Sequence, residues 1–443
     1  MTAMNYKLMN ALRFKDFRLW DYSSYYKVSS NLKYRFPAVK LKEVITHRKQ
    51  VISIDDEVEY KRCRVQIYAK GIELRDITKG EEIKTKRQQV CKTNDFLVAE
   101  IDAKMGGYGI VPQNLDGAIV SSHYFLYEIK QNKLLPTYLD LYIKTNEFHQ
   151  QIKAVGSTNY AAIRPSHVLD YEIVLPKPEI QAQLVNQYNL KLTQAQEAEN
   201  QANELEKSTE NYLLEELGIE KPKAVEKKQG LQFVRLQDLS RWDLWNNSED
   251  YTSKIFDNTT LQTVILGSPQ YGANSKAIKE KSEYRYIRIT DLNEDGTLNN
   301  DVVSAEKVES QYILENNDFL IARTGATVGK TFLYKSEYGK AIYAGYLIRY
   351  KIDETKIIPE YLSYFTKSEI YKSWILKSQR VSAQPNINGQ EFLKSILILP
   401  PPDIQTQIVN HIKTQKEKIK ALRQQAEALR KQAKEEFENE IFI

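Results

Sequence analysis

The segment FLIARTGATVGKTF, residues 319–332, contains residue types that could bind a nucleotide phosphate. In a P-loop, backbone N–H groups surround the phosphates, a lysine neutralises them, and a Ser or Thr hydroxyl holds magnesium. That motif needs about four residues between its first glycine and the Gly-Lys pair. Only Ala326, Thr327 and Val328 separate Gly325 from Gly329 here. The spacing therefore argues against an ATPase or GTPase site.

An internal repeat spans nearly the whole chain. Five pairs of segments match in order at an offset of about 220 to 224 residues. The pairs are Trp20-Asp21 with Trp242-Asp243, LKEVI (41–45) with LQTVI (261–265), NDFLVAE (94–100) with NDFLIAR (317–323), LLPTYLDLY (134–142) with IIPEYLSYF (357–365), and LPKPEIQAQLV (175–185) with LPPPDIQTQIV (399–409). Five ordered matches at one offset predict a tandem duplication.

The repeat argues against two kinds of enzyme. The counterpart of the glycine loop in the first half, AEIDAKMGGYGIV at 99–111, keeps the glycines but has no Gly-Lys-Thr. Asp116, Glu128 and Lys130 fit the loose acid–acid–lysine pattern of magnesium-dependent nucleases. The second half has Tyr350 and Lys351 near the Glu128 position, so the acid is not retained. What the halves share is a turn after a strand, and the side chains displayed there differ.

Length and composition set the broad class. A chain of 443 residues is long enough for two or three domains. No apolar run reaches the roughly 20 residues that span a bilayer, and the N-terminus lacks the apolar core of a secretory signal. Two cysteines, Cys63 and Cys91, favour a reducing cytoplasm, and the five histidines show no metal-binding spacing. The net charge of +5 permits a nucleic-acid partner without requiring one.

The sequence of each half predicts an α+β globular domain that is followed by a long helix. Segments such as YRYIRIT, DFLIAR and YAGYLIRYKI are typical of strands, whereas 134–152 and 357–375 are typical of helices with Pro136 and Pro359 in the first turn. The chain then becomes polar and free of Gly and Pro from 179 to 217 and from 403 to 443, with apolar residues every three or four positions. We therefore predict domains at 1–178 and 231–402, long helices at 179–217 and 403–443, and a linker at 218–230.

The two long helices are expected to pack as an antiparallel coiled coil. Each would be about 55 Å long at 1.5 Å per residue, and neither would be stable alone. Pairing within the chain would relate the two halves by an internal pseudo-twofold axis, and the covalent connection favours it over a homodimeric coiled coil. Such a rod exceeds one turn of B-DNA, which is about 34 Å.

Together these features resemble the specificity subunit of type I restriction–modification systems, over essentially all 443 residues. The resemblance is carried by the duplicated LPxPxIQxQxV boundary, the Trp-Asp element, and the NDFL(V/I)A(E/R) segment with its glycine loop. QPNINGQEFLKSILILPPP (384–402) and IDAKMGGYGIVPQNLDGAIVS (101–121) are also similar to segments of that family's recognition domains.

The resemblance implies a DNA sequence-specificity subunit without an active site of its own. Each globular half would be a target recognition domain that reads one part of a split, asymmetric target in double-stranded DNA. The helices would fix the gap and bind two adenine methyltransferase subunits, and restriction–translocase subunits would complete the complex. S-adenosylmethionine, ATP and Mg would belong to those partner subunits, and no membrane is implied.

Candidate base-reading residues follow from the chemistry of direct readout, in which Arg or Lys binds guanine and Asn or Gln binds adenine. The predicted DNA-binding residues are Lys104, Tyr108, Thr158, Asn159, Tyr160 and Arg164 in the first half, and Arg323, Thr324, Lys330, Arg380, Gln384 and Asn386 in the second. Each also has a structural alternative; Asn386, for example, could cap the helix at NGQEFL. Lys and Arg around these loops would add salt-dependent phosphate contacts.

Two other functions stay open at this level. One is the specificity chain of a two-subunit system whose partner fuses methyltransferase and nuclease. The other is a coiled-coil scaffold with two protein-binding heads, which predicts no salt-sensitive DNA binding. The target sequence and the gap length do not follow from the residues, because recognition depends on how loops are presented in three dimensions.

Overall fold

The computed structural model describes residues 34–152, 162–219, 251–280, 282–378 and 385–443. The chain divides into two compact units. The first is formed by Met1–Glu197 with Gln425–Ile443, and the second by Ala198–Gln424. The repeated Trp-Asp elements and most of the predicted linker lie outside the described residues. No helix among the described residues is long and apolar enough to cross a membrane.

The first half of the chain contains three sheets. Its strands are β1 (Ala38–Lys40), β2 (Ile45–Arg48), β3 (Val51–Ser53), β4 (Glu59–Gln66), β5 (Gly71–Lys79), β6 (Arg87–Val90), β7 (Phe96–Ala99), β8 (Tyr108–Ile110), β9 (Ile119–Val120), β10 (Tyr124–Ile129) and β11 (Glu172–Val174). Its helices are α1 (Pro136–Tyr142), α2 (Asn146–Gln151), α3 (Pro165–Asp170) and α4 (Pro178–Glu216). The sheet orders are β1-β11, β2-β10-β7-β8 and β3-β6-β9-β4-β5.

The second half has the same kinds of element. Its strands are β12 (Asn258–Thr260), β13 (Ile265–Tyr271), β14 (Ala277–Ile278), β15 (Arg285–Ile287), β16 (Ser304–Ala305), β17 (Phe319–Ala322), β18 (Thr331–Leu333), β19 (Ala341–Tyr343), β20 (Leu347–Ile352) and β21 (Ile396–Ile398). Its helices are α5 (Pro359–Phe365), α6 (Glu369–Ser378), α7 (Gly389–Leu393) and α8 (Pro402–Ile441). The sheet orders are β12-β21, β13-β20-β17-β18 and β14-β16-β15-β19.

One four-stranded sheet occurs in both units with the same strand order, and its central strand pairs with the same register. β2-β10-β7-β8 in the first unit corresponds to β13-β20-β17-β18 in the second. Tyr127 lies opposite Phe96 in the first sheet, and Tyr350 lies opposite Phe319 in the second. The mixed α+β architecture expected from the sequence is therefore present, and the repeated segments occupy matching places in it.

The central strand of each repeated sheet is specified by its sequence. β7 (FLVA) and β17 (FLIA) are buried along their whole length, as short continuous apolar strands are when both faces are covered. Asn94 and Asn317 precede them with φ of 70° and 69°. Asparagine tolerates this left-handed conformation because its short polar side chain can hydrogen-bond locally. The motif NDFL thus encodes a turn followed by a buried strand.

A buried glutamine connects each long helix to its own domain. Gln181 of α4 accepts a hydrogen bond from the Leu135 N–H, and Gln405 of α8 accepts one from the Ile358 N–H, each at 2.8 Å. Leu135 and Ile358 are the residues just before α1 and α5, both of which begin with proline as predicted. The glutamine satisfies a backbone donor that has no partner inside the short helix.

Each unit has its own aromatic core. In the first, Tyr138 packs on Phe437 of α8 with ring centroids 5.8 Å apart. In the second, Tyr361 packs on Phe365 at 6.2 Å. The hydroxyl of Tyr138 donates to the Val174 carbonyl at 2.8 Å, so this buried phenol retains a hydrogen bond.

Contacts between α4 and α8 occur inside each unit. In the first unit, Tyr188 contacts Phe437 and Lys191 pairs with Glu436 at 3.2 Å. In the second unit, the Tyr212 ring stacks on the His411 ring at 3.8 Å between centroids.

Candidate nucleic-acid interface

The glycine loop of the second unit joins β17 to β18. A short 3₁₀ helix, Gly325–Thr327, turns the chain, and Gly325 has φ of 68°. Lys330 Nζ pairs with the Glu294 carboxylate at 2.8 Å. The Thr331 hydroxyl is buried and shares a hydrogen bond with the Thr366 hydroxyl at 2.9 Å. The lysine and threonine that a P-loop would use are thus engaged by other side chains of the protein.

Arg323 follows the last residue of β17 and is held by its backbone. Its N–H donates to the Tyr346 carbonyl at 3.0 Å, and its carbonyl accepts from the Ile387 N–H at 3.1 Å. The guanidinium lies over the Tyr271 ring, 4.9 Å from the centroid, as a cation–π contact. Nε of Arg323 is buried and has no hydrogen-bond partner within the described residues.

Thr324 and Asn386 meet as an isolated antiparallel bridge. Thr324 is buried, whereas Asn386 is exposed. The alternative role considered for Asn386, capping the helix at NGQEFL, is wrong: Asn388 is the N-cap of α7, and its side chain accepts from the Glu391 N–H at 2.9 Å. Asn386 is therefore available on the surface beside Arg323.

Three of the six candidates in the second half come together around this loop. Arg323, Thr324 and Asn386 are joined by the backbone bonds described above, while Lys330 points its ammonium at Glu294 instead. Arg380 and Gln384 lie outside the described residues.

The candidates of the first half are more dispersed. Lys104 lies in a 3₁₀ helix, Asp102–Met105, and Arg164 is exposed just before α3. Tyr108 is buried: its ring packs edge-on against Phe148 at 5.4 Å, and burial raises the pKa of its hydroxyl. Tyr108 is thus a core residue here and not a displayed one. Thr158, Asn159 and Tyr160 lie outside the described residues.

Sequence reasoning missed Glu100, which the structure makes equivalent to the predicted residue Arg323. Glu100 follows β7 as Arg323 follows β17. The Glu100 N–H donates to the His123 carbonyl at 2.9 Å, and the Glu100 carbonyl accepts from the Ile163 N–H at 3.0 Å. These are the two backbone bonds of Arg323, made with residues at the corresponding places in the repeat. The signal was present in the alignment of NDFLVAE with NDFLIAR, where only the last residue changes charge.

The side chains at these two positions have different surroundings. Glu100 Oε2 lies 2.7 Å from Nδ1 of His123, whose side chain is 71% exposed. Tyr346, at the position of His123 in the other unit, is 59% exposed. Each unit therefore presents one charged side chain and one exposed ring at the end of the same central strand.

Two residues of the acid–acid–lysine pattern, Asp116 and Lys130, bind the main chain of other segments. Asp116 accepts from the Thr93 N–H at 2.7 Å, and the backbone and side-chain hydrogen bonds of Thr93 lower the pKa of Asp116. Lys130 Nζ donates to the Glu43 carbonyl. Within the described ranges, no group of three or more His, Cys, Asp or Glu residues is placed to hold a metal ion.

Part of the chain, including this surface, is similar to known proteins. Residues 271–431 match the family model for the type I restriction modification DNA specificity domain. The type I restriction enzyme StySPI specificity subunit of Salmonella potsdam is 29% identical over 110 residues. That alignment covers 24% of this chain and 24% of the relative, so it spans about a quarter of each.

A solved structure has a similar fold over most of the chain. A chain from a type I R-M system, solved to explain complex assembly and conformational transition, is similar over 92% of this chain and 99% of its own length, with a TM-score of 0.60 at 16% identity. An HsdS subunit from Thermoanaerobacter tengcongensis is similar over 90% of this chain and 94% of its own, with a TM-score of 0.47 at 17% identity.

The matched residues include the candidate interface of the second unit. Residues 271–431, which match the model for the type I restriction modification DNA specificity domain, include Tyr271, Arg323, Tyr346 and Asn386. The resemblance to type I specificity subunits, inferred from the repeated motifs, is thereby confirmed.

Proposed function

We propose that this chain is the DNA sequence-specificity subunit of a type I restriction–modification complex. The observation that carries the proposal is the position of the family match: residues 271–431 include the glycine loop, Arg323 and Asn386. The similarity to a type I R-M chain over 92% of this chain supports extending the assignment beyond the matched domain.

Each half would read one part of a split, asymmetric target. The same four-stranded sheet order in both units supports two recognition domains of one design. The change from Glu100 to Arg323 at matching positions supports different readings by the two halves. Around each loop, Lys and Arg side chains would bind phosphates and make the affinity fall with salt.

The long helices would set the gap between the two parts and bind methyltransferase subunits. Two observations support their antiparallel pairing. In the first unit, Tyr188 near the start of α4 contacts Phe437 near the end of α8. In the second unit, Tyr212 near the end of α4 stacks on His411 near the start of α8. The chain itself would contribute no catalytic group, and S-adenosylmethionine, ATP and Mg would act in the partner subunits.

The test is the adenine methylation map of the host genome with and without the gene. We expect one motif, with two defined parts around a fixed gap, to lose its methylation when the gene is deleted. Exchanging residues 1–178 for those of a relative should change one part of the motif only. Purification of the tagged full chain should recover a methyltransferase, either as a separate subunit or fused to the nuclease. A map that is identical with and without the gene, together with a chain that binds no methyltransferase, would overturn the proposal.

A further inference from the structure

Equivalent positions in the two units carry side chains of opposite charge. Glu100 and Arg323 both stand directly after the buried central strand of the repeated sheet. Each donates its N–H to an exposed-ring residue, His123 or Tyr346, and each accepts from an isoleucine N–H, of Ile163 or Ile387. Four hydrogen bonds of 2.9 to 3.1 Å therefore fix the two backbones in the same way.

The Arg323 guanidinium is oriented but not neutralised. The Tyr271 ring lies 4.9 Å beneath it, and the Tyr271 hydroxyl is itself fixed by the Gly389 N–H at 3.0 Å. No carboxylate pairs with Arg323 in the part of the chain that the structure describes, and Nε lacks a partner there. An arginine held over an aromatic ring loses less freedom when it binds, and its planar fork matches O6 and N7 of guanine.

The Glu100 carboxylate has the opposite capacity. It can only accept hydrogen bonds while ionised. Oε2 is occupied by His123, which leaves Oε1 without a hydrogen bond within the described residues. In the major groove, carboxylates accept from the N4 amino group of cytosine, the only donor on that base.

We infer that position 100 and position 323 are matched base-reading positions of opposite preference. Arg323, supported by Tyr271, takes a guanine in one part of the target, and Glu100, supported by His123, takes a cytosine in the other. This rests on the proposed DNA-specificity function and identifies Glu100, His123, Tyr271 and Tyr346 as parts of the reading surface.

The experiment compares methylation maps of strains that carry the wild-type gene, Glu100→Ala or Arg323→Ala. Glu128→Ala and Lys340→Ala are the matched controls, because each removes an exposed charge of the same sign from the same half. We expect Arg323→Ala to make one guanine of the motif degenerate and Glu100→Ala to make one cytosine of the other part degenerate. Each control should leave the motif unchanged.

Purified complexes give the same answer if a variant methylates too weakly to map. Competition between the cognate duplex and duplexes changed at single bases should show about 10-fold or greater loss of discrimination at one base only. Arg323→Lys, which keeps the charge, should retain the salt dependence of binding but lose discrimination at the guanine, because Lys lacks the planar fork.

The possible outcomes distinguish a failure of the proposed function from a failure of the inference about positions 100 and 323. A wild-type gene that supports no split motif removes the proposed function. A wild-type motif that both alanine variants leave unchanged, or degrade at every base equally, overturns this inference while the function stands. Loss of discrimination at a base other than guanine for Arg323, or cytosine for Glu100, also overturns it.

Discussion

The four-stranded sheets β2-β10-β7-β8 and β13-β20-β17-β18 share their strand order, and the two-stranded sheets β1-β11 and β12-β21 also correspond, whereas the remaining sheet of each unit differs. The first unit adds the five-stranded sheet β3-β6-β9-β4-β5, and the second adds the four-stranded sheet β14-β16-β15-β19. Buried hydrogen bonds are shared as well: the Tyr138 hydroxyl of α1 donates to the Val174 carbonyl of β11, and the Tyr361 hydroxyl of α5 donates to the Ile398 carbonyl of β21. The repeat therefore preserves the groups that fix the framework, and it lets the surrounding sheet and the displayed side chains vary.

The two units also neutralise an equivalent buried aspartate in different ways. Asp95 and Asp318 are both nearly fully buried and both accept from a backbone N–H three residues earlier. Asp95 pairs with Arg48 from β2. Asp318 pairs instead with Arg349 and Lys351, both from β20. The charge is compensated in each case, but by a different strand.

Replacing Arg48 with Met should have the largest effect. Asp95 would keep its charge with no cation beside it, and burial already raises the pKa of this carboxyl. We expect a loss of about 3–5 kcal/mol, as when one partner of a buried pair is removed. Lys351→Met should cost about 1 kcal/mol, because Arg349 stays beside Asp318. Amide hydrogen exchange in β7 and β17 measures the two effects separately.

Arg64→Met is the control for the first unit, because Arg64 forms an exposed pair with Glu73. If Arg48→Met destabilises β7 no more than Arg64→Met does, the buried pair is not what fixes this framework.

Replacing the buried glutamines with Leu should have the next largest effect. Gln181 donates to the carbonyls of Lys133 and Pro176, whereas Gln405 donates only to that of Pro400. Each substitution leaves buried backbone groups without partners, at a cost of about 1–3 kcal/mol, and Gln181→Leu should cost more. Thermal unfolding of the full chain measures both.

Each copy of the LPxPxIQxQxV motif contains a second glutamine, two residues after the buried one, that serves as a control. Gln183 and Gln407 are exposed, so their substitution by Leu should change the unfolding temperature little. Equal effects at buried and exposed glutamines would show that these hydrogen bonds do not hold the helices to their domains.

The smallest predicted effect concerns a lysine whose partner differs between the units. Lys144 pairs with Asp140 at 2.6 Å, whereas Lys367, at the same place in the repeat, donates to the Ser363 hydroxyl at 2.7 Å. Burial, with Lys416 nearby, lowers the pKa of Lys367 to about 7. We expect Lys367→Met to stabilise the second unit at pH 6 by about 1 kcal/mol, because the methionine removes a desolvated charge. Lys144→Met should instead cost about 0.5 kcal/mol or less.

The sign of the pH dependence provides the check. Above pH 7 the folded state releases the Lys367 proton, while the unfolded state keeps it up to its ordinary value of 10.5. Wild-type stability therefore rises with pH in this interval relative to the variant. Measured by hydrogen exchange of α6, the advantage of Lys367→Met should shrink between pH 6 and pH 9. An advantage that grows with pH would contradict the lowered pKa.

Local patterns predicted much of the framework from the sequence. The apolar runs FLVA and FLIA predicted the central strands, and Pro136 and Pro359 predicted the starts of α1 and α5. In the polar segments from 179 and 403, the structure has α4, Pro178–Glu216, and α8, Pro402–Ile441. Each of these signals lies within one element, so no tertiary contact was needed to read it.

The displayed side chains depended on contacts that the sequence does not reveal. Tyr108 pairs with Val98 in the sheet, and this register turns its ring into the core. Lys330 forms an ion pair with Glu294, which is far away along the chain. Asn386 bridges Thr324 across the loop, while Asn388 caps the helix. Glu100 was missed because base-reading candidates were sought among basic and amide side chains near glycines.

The backbone bonds at positions 100 and 323 have an evolutionary consequence. The backbones of these two residues are held by hydrogen bonds to other main-chain atoms, which do not depend on the side chain present. A single codon change can thus reverse the charge at the end of the strand without disturbing the fold that carries it. Divergence at such a position is nearly neutral for folding, so selection for a new DNA target can act on it one residue at a time. Duplication followed by this kind of drift would generate new specificities faster than it generates new architectures.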